Sequence, residues 1–168
     1  DDVPDRTFAP GESFPYLGDD HELIIESRQK SVIEDGTIRL RQSAVDQSST
    51  ERALRNFYRR QAREHLTDRL EHFAAEMGLE YDGIEIRNQR TRWGSCSTNG
   101  TISLNWRLLM APPEVIDYVV VHELAHLVEP NHTDTFWSLV AEHNPDYEEH
   151  AAWLEANSAR LVFSDKDL

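Results

Sequence analysis

The sequence predicts an α+β fold in which a long amphipathic helix, a set of short strands with a hairpin, and a buried apolar helix precede short C-terminal helices. Three observations lead there. Leu54, Phe57, Tyr58, Ala62, Leu66, Leu70, Phe73 and Met77 recur at three- and four-residue steps, the period of a helix with one apolar face. Two stretches rich in β-branched residues surround the turn signals Asp35-Gly36 and Asn99-Gly100. The run that follows Ala111-Pro112-Pro113-Glu114 is apolar around most of a helical circumference and stops at Pro130.

Taken along the chain, residues 1–18 hold three prolines and two glycines and read as irregular. HELIIES and SVIEDGTIRLRQS then read as strands joined through Asp35-Gly36. This first His-Glu-Leu, at His21, has Ile25 four residues on and therefore offers no second metal ligand. Residues 1–47 are taken as an N-terminal irregular segment with a β-hairpin and 48–168 as the main domain, the two forming one compact unit. Ser48-Ser49-Thr50-Glu51 reads as a capping box that opens the long helix, and Gly78 closes it. Its six arginines alternate with acids, which predicts a solvated ion-pair face rather than a nucleic-acid surface. Ile84 and Ile86 alternate as in a strand, and Trp93 to Asn105 forms a hairpin about Asn99-Gly100. After the Pro-led helix, a third begins near Thr133 or Asp134 and carries Phe136, Trp137 and Val140, and a fourth follows Pro145 with Trp153 and Leu154.

Composition bounds the function. With 168 residues, 39% of them hydrophobic, the chain can bury a core, and no apolar run approaches the roughly 20 residues that span a bilayer. A net charge of −14 argues against direct nucleic-acid binding, which needs a basic surface. The basic residues are almost all arginine, with Lys30 and Lys166 the two lysines; this acidic, lysine-poor make-up reads as that of a salt-loving organism, where charge keeps proteins soluble. The lone Cys96 can form no internal disulfide, which points to a reducing cytoplasm. A start at Asp1 rather than Met reads as a trimmed or internal fragment.

The chemistry concentrates in VVVHELAHLVEPNH, Val119 to His132. On a helix, His122 and His126 lie one above the other, about 6 Å apart along the axis, and both can reach one cation. Glu123 is rotated by about 100° and can reach a water on that cation instead, the arrangement of HExxH metallohydrolases. A catalytic zinc takes three protein ligands and keeps one position open. His132, brought round by the break at Glu129-Pro130-Asn131, completes a three-histidine set for one zinc ion per chain. Glu142 or Glu148 is the alternative third ligand. The spacing matches metzincins, but Glu129 stands at their glycine, and both methionines, Met77 and Met110, precede the motif, so this is not a metzincin.

RTRWGSCSTNGTISLNWRLLMAPPEVIDYVVVHELAHLVEPNHTDTFWSLVAEHNPDY, with GESFPYLGDDHELIIE upstream, resembles the YgjP-like family of zinc metallopeptidases, relatives of SprT-like, WLM and minigluzincin peptidases. The resemblance runs from about Gly11 to Trp153. It implies a zincin-like fold with a long backing helix and a small mixed sheet. It also implies His122, His126 and His132 as zinc ligands, Glu123 as catalytic base, and a peptide or protein substrate laid along the hairpin edge. It further implies that the family's most N-terminal segment is missing. Trp93 is read as packing, and Arg92, Tyr147 and His143 are candidates for contacting substrate or the developing oxyanion. Some family members are described as UTP pyrophosphatases, in which case Arg90, Arg92 or Arg107 would hold phosphates. SprT-like and WLM relatives suggest a third reading, a metal-stabilised DNA-repair or interaction module. Nothing in the sequence fixes the oligomeric state.

Overall fold

In the computed structural model, which describes residues 3–89, 91–164 and 167, the chain folds as two small sheets packed around two helices. Strands β1 (Ser13–Tyr16), β2 (Asp19–Glu26), β3 (Val32–Glu34) and β4 (Thr37–Arg41) make the first sheet in the order β1-β2-β4-β3. The β1 strand lies inside the stretch expected to be irregular. It forms because Leu17-Gly18 makes a two-residue turn at positive φ, and the turn's amides donate to the carbonyls of Leu109 and Met110. That docking offsets the cost of holding a leucine in the left-handed region. The Asp35-Gly36 turn joins β3 to β4 as the sequence indicated, both residues at positive φ. A short helix, α1 (Gln42–Gln47), follows and was not foreseen.

Helix α2 (Thr50–Met77) is the long backing helix. Ser49, one residue later than expected, is its N-cap, with the hydroxyl accepting from the Arg52 amide at 3.1 Å. Glu51 does not reach back to close a capping box; it pairs with Arg55 one turn on. Gly78 ends the helix in the left-handed conformation.

The second sheet, ordered β5-β7-β6, contains β5 (Gly83–Arg87), β6 (Gly94–Cys96) and β7 (Thr101–Asn105). The central strand β7 pairs parallel with β5 and antiparallel with β6, which leaves β6 at the sheet's edge. A 3₁₀ turn, Trp106–Met110, leads from β7 to α3 (Pro113–Ala125), the most buried helix. Arg69 of α2 grips Asp117 of α3 with two parallel hydrogen bonds of 2.8 and 3.0 Å, fixing the rotation of α3 against its backing helix. Residues of both sheets, α2, α3 and the C-terminal Leu161 and Phe163 share one hydrophobic core. Helices α4 (Asp134–His143), capped by Thr133, and α5 (Tyr147–Asn157) complete the fold. Among the described residues no helix is long and apolar enough to cross a membrane.

Candidate metal centre

The α3 helix ends at Ala125, four residues short of the expected stop before Pro130. The amides of His126, Leu127 and Val128 bond to carbonyls three residues back, so the last turn tightens before the proline. The tightening carries the Glu129 carbonyl to within 3.2 Å of His126 Nδ1. A carbonyl can only accept, so Nδ1 carries the proton and Nε2 keeps its lone pair for the pocket.

His122 is supported in a similar way. Tyr118, one turn earlier and buried, places its hydroxyl 3.4 Å from His122 Nδ1. His132, exposed, arrives on the loop before α4 and brings its Nε2 to 3.4 Å from His122 Nε2. One nitrogen from each of His122, His126 and His132 lies within 4.8 Å of the others. Two nitrogens bound at roughly 2.0–2.1 Å to a tetrahedral zinc stand about 3.3 Å apart. The His122–His132 separation is thus that of two ligands on one ion, and the donor set fits the metal. Phe136 forms the floor of the group. Its fully buried ring stacks on His126 at 4.5 Å and meets His122 and His132 edge-on at 5.0 Å. Trp137 stacks on His132 from outside.

Burial, followed by the neighbouring His126 and His132, pushes the His122 pKa down to about 4. Burial also lowers His126. Both rings are therefore neutral at pH 7, the form that coordinates a metal. Glu123 is 6% exposed, and burial lifts its carboxyl to about 7, opposed by the charge of Arg92.

The three histidines and Glu123 open on one cleft of about 380 Å³, whose other wall is β6 and its flanks, Arg92 and Gly94 to Thr98. The structure therefore brings together Arg92, His122, Glu123, His126 and His132. Tyr147 does not line the cleft; its ring stacks on Trp137 at 5.1 Å. His143 is turned away and bonds Glu76 of α2 at 2.6 Å. Arg107 is 2% exposed and holds the carbonyls of Leu161 and Gln89, so its cation braces the chain. Arg90 lies outside the described residues. Trp93 packs under Arg107, its ring 4.7 Å from the guanidinium carbon, as the packing reading expects. Two residues went unread in the sequence. Tyr118 could have been found by the four-residue step that pairs His122 with His126. Gly94 could not, because its closeness to Glu123 is set by how β6 lies on α3.

The fold is zincin-like. The chain belongs to the YgjP-like metallopeptidase domain family, whose model matches residues 1–157. Such a family implies a divalent metal ion and peptide or protein substrates. Among solved structures, the zymogen of the metallopeptidase abylysin from Pyrococcus abyssi is similar, with 27% identity, a TM-score of 0.51, and coverage of 58% of this chain and 99% of that one. The zymogen of the metallopeptidase jannalysin from Methanocaldococcus jannaschii shares 20% identity at a TM-score of 0.50, covers 55% of this chain and 96% of that one, and supports the fold alone. No curated protein matches.

Proposed function

We propose that the protein is a zinc-dependent peptidase holding one zinc ion per chain on His122, His126 and His132, with Glu123 as general base. The observation that carries the proposal is the convergence of three imidazole nitrogens and one buried carboxyl on a single cleft. When bound, the zinc ion polarises the scissile carbonyl and makes a water acidic enough to lose its proton near neutral pH.

The rest is the work of this chain's residues. Tyr118 and the Glu129 carbonyl fix the ring orientations of His122 and His126 through Nδ1 and leave both Nε2 atoms free to hold the ion. Phe136 excludes water from the floor of the site. The Glu123 carboxylate takes the proton of the attacking water and returns it to the leaving amine. With its pKa lifted by burial to about 7, the carboxyl can both take up and give back a proton near neutral pH. The substrate lies extended along the free edge of β6, adding a strand to the β5-β7-β6 sheet. The lone Cys96 and the acidic, lysine-poor composition fit a cytoplasmic protein adapted to high salt.

The test is an assay of the zinc-loaded protein on an unfolded protein, on UTP and on duplex DNA. Only the unfolded protein is expected to be cut, a chelator to stop the reaction and zinc to restore it. UTP turnover without peptide cleavage would overturn the proposal.

A further inference from the structure

Among the described residues, Arg92 is the one arginine or lysine on the wall of the histidine cleft. In a chain of net charge −14, Arg92 forms no ion pair among the described residues. Its side chain is exposed, but its main chain is clamped. Asn105, 2% exposed, donates from Nδ2 to the carbonyls of Gln89 (2.8 Å) and Arg92 (3.1 Å). The buried Arg107 donates to the Gln89 carbonyl at 2.6 Å, and the Asn105 amide donates to the Trp93 carbonyl at 2.9 Å. Two buried polar side chains thus hold the carbonyls of Gln89 and of Arg92, which stands directly before the edge strand β6. A guanidinium offers paired donors matched to a carboxylate, and placed beside a peptide track it can read one.

We propose that Arg92 is a specificity-determining residue that pairs with a carboxylate of the peptide substrate, close to the bond being cut. The inference rests on the peptidase reading and adds the substrate class: peptides with an acidic side chain, or the C-terminal carboxylate, at that subsite. In a chain of net charge −14, a cation on the cleft wall decides where along the track an acidic group is accepted.

The experiment uses the zinc-loaded full chain and peptides that differ at one position, Glu, Gln or Lys, on either side of the cut, each made as free acid and as C-terminal amide. The wild type should favour either the Glu peptide or the free acid by about tenfold in kcat/KM, the worth of one charge-assisted pair at a wet site, with the difference in KM. The acid and amide arms tell the two carboxylates apart. In Arg92→Gln that ratio should fall to about one, in Arg92→Lys it should survive in part, and in Arg92→Glu it should turn towards Lys peptides. A ratio unchanged in Arg92→Gln, or a fall by one common factor on every peptide, would overturn the inference. A wild type that cuts peptides without charge preference overturns this inference alone, whereas one that cuts none overturns the peptidase reading with it.

Discussion

A β-carbon on Gly94 would stand 2.9 Å from Glu123 Cγ and 3.1 Å from its Oε2. The backbone at Gly94 is not among those at positive φ, so the position demands space rather than conformational freedom. The edge strand is pressed against the proposed base at the one residue that has no side chain.

Gly94→Ala therefore has to move either the Glu123 carboxylate or Leu104, whose Cδ2 would lie 3.2 Å from the new methyl. Displacing a catalytic group by about 1 Å costs roughly 100-fold in rate. Cleavage by Gly94→Ala is expected to fall by that order while zinc content stays at the wild-type level. Equal turnover in the two proteins would show that Glu123 is not held by this contact.

Tyr118 meets His122 with its ring, 5.7 Å between centroids, and with its hydroxyl, 3.4 Å from Nδ1. Tyr118→Phe keeps the ring against His122 and deletes the partner of Nδ1. Losing an outer partner of a metal ligand weakens binding by roughly 10- to 100-fold. Competition with a chromogenic chelator should show zinc affinity reduced by at least about tenfold, with the melting temperature of the metal-free protein nearly unchanged. Unaltered affinity would leave Tyr118 a packing residue only.

His65 supplies a pH prediction away from the site. Burial holds its pKa below the ordinary 6.5, against the raising charge of Asp117, and its Nε2 is buried without a hydrogen-bond partner. The unfolded chain takes up a proton at 6.5 that the folded chain refuses, so stability is full above 6.5 and is lost as pH falls towards the folded value. In metal-free protein, His65→Gln should lose less melting temperature than the wild type between about pH 7.5 and 5. Parallel pH curves for the two proteins would contradict the assignment.

What the sequence made legible was whatever rests on local spacing. The four-residue step of His122 and His126, the Asp35-Gly36 turn, the Gly78 stop and the period of α2 are set within one or two turns of chain, and each appears in the structure. Features that depend on distant partners were not readable. Strand β1 exists because its turn docks on Leu109 and Met110, and α3 stops early because its last turn tightens to bring Glu129 onto His126. Arg107 looked like a phosphate ligand because an arginine's burial cannot be read from its neighbours; its partners, Leu161 and Gln89, lie far off in sequence. Tyr147 belongs to the same class, drawn to Trp137 by a stacking that no spacing announces.

The central claim, that Glu123 moves the proton while the three histidines hold the ion, is tested most directly by Glu123→Gln. Glutamine keeps the length and shape of the side chain, so it fits against Gly94, but it cannot accept the water's proton. The measurement is zinc content and peptide cleavage on the same purified sample. One zinc ion per chain with cleavage lost is the predicted result; cleavage near the wild-type rate with the metal in place would contradict the account.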